Sequence, residues 1–279
     1  MATPLSLKTN VGSLNAQRHV SQAGRDLNTT ISRLSSGLKI NSSSDDAAGS
    51  AVAKGLSAQI GGFEQAAQNA NDANALLATA EGAYNSISDI LVRMRELAVQ
   101  GASDTLTDTE RGYLDTEFQD LSGEITRIAD VTEYNGIKLT DGTAGNSGVM
   151  VFQVGTRNTA NDRISITLAD QDATALSVNA AAVDDLTNAQ AAITTIDAAI
   201  DTLATSRATL GATQNQLTIA VDNLSVTTEN LSAALSGIQD SDIAAESAEF
   251  TKNNVLMQAG ISMMSQANAV PNLALRLLG

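Results

Sequence analysis

The chain has 279 residues, a formal charge of −15, 3% aromatic residues, no tryptophan and no cysteine. Without cysteine there are no disulfides and no thiolate metal sites, which permits an extracellular life without redox dependence. The acidic balance argues against nucleic-acid binding, which needs clustered Lys and Arg; no apolar run approaches the ~18–20 residues of a membrane span; and MATPLSLKTN lacks the charged and apolar regions of a cleavable secretory signal.

Charge is unevenly placed. Residues 1–41 hold Lys8, Arg18, Arg25, Arg33 and Lys39 against Asp26, and residues 250–279 hold Lys252 and Arg276 against no acid. The acidic excess therefore sits between them, and the two ends share a composition that suggests one structural region.

In chain order, residues 5–39 read as a helix with Leu14, Val20, Leu27, Ile31, Leu34 and Leu38 on overlapping faces. Gly37 and the run 41–44 break it. Ser44 followed by Asp45 and Asp46 is a start signal, a hydroxyl cap before carboxylates on the first exposed N–H groups. The next helix extends to about Gly101, with Gly61-Gly62 a weak point inside it. Its stripe Ala70, Ala73, Leu77, Ala80, Tyr84, Ile87, Leu91, Met94, Ala98 steps three, four, three, four. The alanines permit close helix approach, and each large side chain, once buried, contributes about 1.5–3 kcal/mol before its ordering entropy. A shorter stripe, Leu114, Phe118, Leu121, Ile125, Ile128, makes a third helix over 114–131. Tyr134-Asn135-Gly136 and Asp141-Gly142 are turn chemistry. Met150–Val154 and Arg163–Leu168 alternate at period two around 155–162, which reads as a β-hairpin.

From about Asp184 the chain returns to helix. Its seam is Ile196, Ile200, Leu203, Arg207, Leu210, Gln214, Leu217, Val221, Leu224, Thr228, Leu231, Leu235 and Ile238, stepping four, three, four, three. A spacing of 3.5 residues keeps one stripe facing a partner helix, the coiled-coil signal. The stretch 193–239 contains no proline and, at 1.5 Å per residue, is roughly 70 Å long. Residues 239–242 mark another junction. The last helix, about 243–269, carries Phe250, Met257, Ile261 and Met264 on one face and ends before Pro271. The expected fold is mainly α, a long antiparallel coiled-coil or helical-bundle rod with a small β-hairpin region.

No catalytic residue, cofactor or metal is assigned. The one histidine, His19, suits a polar surface of the first helix. Asp45-Asp46, Asp184-Asp185 and Asp240 with Asp242 each stand at a helix start, where capping explains them. An EF-hand spacing, a phosphate loop, a G-x-S-x-G elbow and a dinucleotide fingerprint are all absent from the sequence.

Residues 33–62, RLSSGLKINSSSDDAAGSAVAKGLSAQIGG, resemble the N-terminal signature of bacterial flagellin, the subunit of the flagellar filament. LVRMRELAVQGAS at 91–103 and DVTEYNGIKLTDG at 130–142 resemble two further blocks, and SVTTENLSAALSGIQDSDIAA at 225–245 the C-terminal one. The resemblance implies an inner-core filament domain from 1–41 and 243–279, an outer-core helical rod from 42–140 and 185–242, and a short hairpin or variable region at 141–184. It implies a helical homopolymer outside the cell, exported through the flagellar type III route, that meets hook-junction and cap proteins. It also implies an export chaperone holding the C-terminal helix by Phe250, Met257, Ile261 and Met264. In members sensed by the host flagellin-specific Toll-like receptor, the block here resembling RMRELAV supplies the contact. By position that face is Arg93, Leu97 and Glu117, with Arg93 and Leu97 four apart and off the seam. A hook-filament junction protein, which shares the two-ended plan, is the alternative. A secreted binding module using 141–185 is a weaker one, because that region is short and poor in aromatics.

Overall fold

The structure, a computed structural model, describes residues 9–278, with the side chains of 270–278 outside the description. The helices are α1 (Val11–Ser36), α2 (Ala47–Gly101), α3 (Asp108–Val131), α4 (Leu186–Gln239) and α5 (Ile243–Leu278). The strands are β1 (Glu133–Tyr134), β2 (Ile137–Lys138), β3 (Val149–Gln153) and β4 (Arg163–Thr167). Packing divides the chain into two units, 1–58 with 230–279, and 59–229.

In the first unit α1 and α5 pair antiparallel. Asn10 caps α1, its Oδ1 accepting from Ser13 N, and Gly37 ends it in the left-handed conformation (φ 73°) with its N–H on Arg33 O. The expected start of this helix at residue 5 lies outside the described residues. The segments that follow α1 and precede α5 then bond to each other: Lys39 N to Gln239 O at 2.7 Å and Ser241 N to Gly37 O at 2.9 Å. The cap of α2 is Asp46, not Ser44. Its Oδ1 accepts from Ala48 N and Gly49 N, both at 3.0 Å. Asp45 instead turns back on the preceding loop, accepting from Asn41 N and Ser42 N. Those backbone bonds hold its carboxyl below the ordinary range. Asp242 caps α5 by accepting from Ala244 N and Ala245 N. The expected end of α5 before Pro271 is also corrected: the helix runs on to Leu278. Pro271 has no N–H to give the carbonyl four residues back, and that carbonyl, Ala267 O, receives Asn10 Nδ2 instead at 2.8 Å.

The second unit is a helical bundle with a β flank. Arg95 reaches Asp197 at 2.6 Å, and Gln214 reaches Glu81, so α2 and α4 run antiparallel here. Of the expected seam, Leu77, Tyr84, Ile87, Leu91, Leu203, Leu210 and Leu217 are buried in one core, and Leu224 is buried as well. Ile200 and Val221 are half-buried at the margin of that core, and Leu231, in the first unit's share of α4, is half-buried too. Ala192, Ala199 and Thr213 take inward places on either side of Ile196, Leu203, Leu210 and Leu217. A small residue there lets the backbones approach, so the stripe turns slightly from the one that counting large apolar residues predicts.

The third helix begins six residues before the expected Leu114. Thr107 and Glu110 form a capping box, Thr107 Oγ1 accepting from Glu110 N while Glu110 accepts from Thr107 N. The turn 135–136 joins β1 to β2 with φ of 51° at Asn135 and 77° at Gly136, both in the left-handed region that Asn-Gly tolerates. In the second hairpin Met150 pairs with Ile166 and Phe152 with Ile164, and these four face inward. Beyond it the chain is not a surface decoration. Leu168, Ala173, Leu176, Val178 and Val183 enter the same core as α2 and α4. Thr140 and Gln171 are fully buried beside them, Thr140 donating to Ala129 O and Gln171 to Ser206 Oγ.

Candidate assembly surface

The first unit supplies a surface with two unlike faces. On α1 the residues Ser13, Ala16, Val20, Ala23, Leu27, Thr30 and Leu34 step three, four, three, four and are buried or half-buried. On α5 Glu246, Phe250, Asn253, Met257, Gly260, Met264 and Ala267 do the same. The two stripes meet as a two-stranded antiparallel coil. Gly260 marks its closest approach, since a Cβ there would stand 2.6 Å from Val20 Cγ2. Ile261 is therefore not part of the packed face with Phe250, Met257 and Met264. It is 50% exposed, because Gly260 holds the inward place.

The rest of the pair's surface carries several large apolar side chains. Val11 (62% exposed), Leu14 and Ile31 on α1, and Val255, Leu256, Ile261 and Met263 (68%) on α5, all stand in solvent. The coil buries few large side chains for its length, and such patches mark sites of association. Arg33 of α1 pairs with Glu246 of α5 at 3.2 Å, and the Glu246 side chain is only 14% exposed. His19 is exposed on α1.

The other face expected to bind lies in the second unit. Arg93 donates to Glu117 through Nε at 2.9 Å and Nη2 at 2.7 Å, and to Glu96 through Nη1 at 3.1 Å. Arg93 and Glu117 are half exposed and adjacent. The Glu117 and Glu96 hydrogen bonds raise the Arg93 pKa further above its ordinary value. Leu97 does not join them: it is 1% exposed and belongs to the core. The Arg93–Glu117 pair puts α3 alongside this stretch of α2, so the flank that carries Leu97 is covered by protein. Sequence reasoning treated α2 as packed along one stripe. The recurrence of Leu76, Ala83, Ile90 and Leu97 every seven residues was the available sign of a second.

Arg111 is a residue that the sequence reading missed. It is 5% exposed, and its guanidinium donates from Nε to Gly101 O at 2.8 Å and from Nη2 to Ser103 O at 2.9 Å. It closes the turn between α2 and α3. Among the described residues no group of three or more His, Asp or Glu side chains could hold a metal ion, and no helix is long and apolar enough to cross a membrane. Asp185 caps α4 by accepting from Asn188 N at 2.7 Å.

Residues 7–145 match the family model of the bacterial flagellin N-terminal helical region, and residues 193–278 that of the C-terminal helical region. The chain is 40% identical over 272 residues to a flagellin of Halalkalibacterium halodurans, covering 96% of this chain and 98% of that one. It is 38% identical over 307 residues to a flagellin of Bacillus subtilis, covering 98% and 100%. Among solved structures, a crystal structure of Bacillus cereus flagellin is similar with a TM-score of 0.50 and 33% identity, over 60% of this chain and 94% of that one.

Proposed function

The chain belongs to the bacterial flagellin family, and from that premise we infer that it is the structural subunit of the flagellar filament, polymerising helically for swimming motility. The observation that carries the mode of assembly is the exposed apolar face of the α1–α5 pair. At about 25 cal/mol per Å² of apolar surface removed from water, covering that face with neighbouring copies stabilises both the pair and the polymer. Folding of the ends and polymerisation are then coupled. Nothing in the family matches or the full-length relatives favours the junction-protein alternative.

In this reading residues 1–41 and 243–279 form the inner core of the filament, and 42–140 with 185–242 the outer core, on which 141–184 packs. The role is structural rather than enzymatic. The subunit leaves the cell unfolded through the flagellar type III route, without a cofactor. In the cytoplasm an export chaperone covers Phe250, Met257 and Met264, the apolar side of α5, with Ile261 beside them, as an amphipathic helix is held in a groove. Outside, the ends of the polymer meet the hook-junction and cap proteins. A host Toll-like receptor that senses flagellin would engage Arg93 and Glu117, which neighbouring subunits cover in the filament. Leu97 contributes there by supporting the helix from within.

Deleting 1–41 or 243–279 tests the assignment. Each truncated chain should remain soluble, helical and monomeric by sedimentation, because the buried core lies in 59–229. Long filaments from either truncation would place the assembly surface elsewhere.

A further inference from the structure

A groove runs along one flank of the α1–α5 pair. Its apolar part is a cavity of about 610 Å³, lined by Gly12, Ala16 and Ala23 of α1 and by Leu256, Ala259 and Met263 of α5. Past Asp26 and Asn253 it continues into a polar part at Thr30 and Glu249. Asn253 stands where the two parts meet. It is 3% exposed, and its Nδ2, a donor, is buried with no partner among the described residues. A buried donor left unpaired costs free energy that a leucine at this seam position would not. An occupant that suits the groove therefore brings apolar surface to one end and a hydrogen-bond acceptor to Asn253.

The opposite side of α1 has both. Leu14, Gln17, Ser21, Gly24, Asn28 and Ile31 step three, four, three, four, three, the spacing of a stripe that faces a further helix. The stripe lies across the helix from Gly12, His19 and Asp26, which line the groove. Leu14 and Ile31 are 51% and 46% exposed, and the Asn28 amide is exposed without a partner. Gly24 is a second unexplained residue. It sits inside a helix, where glycine is unfavourable, yet a Cβ there would meet nothing within 4 Å. Nothing in the subunit requires a glycine at this position; a second backbone lying close against the stripe does. The rims also match in charge, with Arg18 and Arg25 beside the stripe and Asp26 and Glu249 beside the groove.

We propose that the groove receives α1 of a second copy of the chain, its Leu14–Ile31 stripe inward, as the third helix of a coil. Copies related by a screw axis keep one polarity, so the two α1 helices run parallel. With them side by side, Leu14 enters the apolar part beside Gly12 and Ala16, Gly24 passes close over Ala23, and Asn28 Oδ1 accepts from Asn253 Nδ2. The buried donor then acquires its acceptor in the polymer rather than in the subunit. Each copy offers a groove on one side and a stripe on the other, so the contact is heterologous, the kind that propagates from copy to copy. This inference rests on the filament reading and names one contact within it.

The test uses the purified full-length chain, with the critical concentration for polymerisation read by sedimentation. Gly24→Leu should raise it about tenfold or more, because the added bulk overfills the contact. The helix content of the monomer by circular dichroism should stay the same or rise, since leucine favours a helix. Asn28→Leu and Asn253→Leu should each raise the critical concentration about threefold to tenfold, one hydrogen bond lost per contact. Both leucines in one chain leave no amide unpaired, so the double variant should return to within about twofold of wild type. If Asn253→Leu alone lowers the helix content, Gly24→Leu and Asn28→Leu decide, because neither residue is buried in the pair. Gly24→Leu or Asn28→Leu chains that assemble like wild type overturn the contact and leave the filament reading intact. So does a double variant whose effect is the product of the two single ones. A wild-type chain that never sediments overturns the filament reading, and the contact with it.

Discussion

Replacing Arg111 by Met isolates what its guanidinium does, because methionine keeps an apolar stem of similar reach. The wild-type group makes three contacts of unequal weight. The ion pair to Asp108 at 2.7 Å involves a carboxylate that is 83% exposed, so water replaces it at little cost. Ser103 O is half-buried and also accepts from Leu106 N at 3.4 Å, so its loss is partial. Gly101 O is different. Gly101 is buried at the end of α2, where a Cβ would stand 3.3 Å from Ala189 Cβ, and Arg111 Nε is its partner. A helix leaves its last four carbonyls without intrahelical donors. A buried one left unpaired costs about 1–3 kcal/mol, and hydrogen bonds to a charged group contribute about 1.5–3 kcal/mol. Arg111→Met should therefore destabilise the 59–229 unit by about 2–4 kcal/mol, a large part of the 5–15 kcal/mol typical of a domain.

The assay is favoured by composition. The chain has three tyrosines and no tryptophan, and Tyr84, Tyr113 and Tyr134 all fall in 59–229, so tyrosine fluorescence reports that unit alone. Urea unfolding should show a lower midpoint with an unchanged slope, and the thermal midpoint should fall by roughly 5–15 °C. Arg111→Lys keeps the charge but offers one point of donation, so it should recover only part of the loss. A Met variant within about 0.5 kcal/mol of wild type would mean that water reaches Gly101 O, and the account of this turn would fail.

Two further outcomes follow from burial. Leu97→Ala should cost about 2–5 kcal/mol as a large-to-small core substitution, whereas Arg93→Ala, four residues away, should leave the urea midpoint nearly unchanged; equal effects would return Leu97 to the surface. Burial, and then the charge of Asp170, push the Tyr84 hydroxyl up to about 12. The folded state then keeps a proton that the unfolded chain loses, so stability is intact below pH 10 and falls between pH 10 and 12, by roughly 2–3 kcal/mol. Tyr84→Phe should remove that part of the alkaline loss, and an identical alkaline curve for the variant would refute its assignment to Tyr84.

The expected seam was legible where large residues recur at seven: Leu203, Leu210, Leu217 and Leu224 are all buried. Beside them the reading took Ile200 where Ala199 is the buried residue and Gln214 where Thr213 is, because a strict four-three step ignores the gain when a small residue lets two backbones approach. Start signals fared similarly. Asp46 and Thr107 were both visible as cap residues, but the serine before one and the first leucine after the other drew the boundary. Leu97 was missed for another reason: periodicity tells which residues share a face, not how many neighbours the helix has.

What the sequence could least reveal is register. A heptad stripe slid by seven residues still matches apolar against apolar, so the seams of α1 with α5 and of α2 with α4 have several nearly equivalent alignments. Polar groups remove that degeneracy, because each has a partner at one alignment only. Asn10 caps α1 with Oδ1 and gives Nδ2 to the carbonyl that Pro271 leaves without an intrahelical donor, so the two helix ends are tied at one offset. Arg33 with Glu246 holds the opposite end of the same pair. In the second unit Arg95 with Asp197 and Gln214 with Glu81 act alike. Apart from Gln214, which falls on the expected seam, these residues read as solvated surface or as helix punctuation when met singly in a sequence. Their meaning is pairwise and long-range, with Asn10 and Ala267 lying 257 residues apart. Apolar spacing thus specifies that the helices pair, while a few hydrogen bonds at their edges and ends specify where.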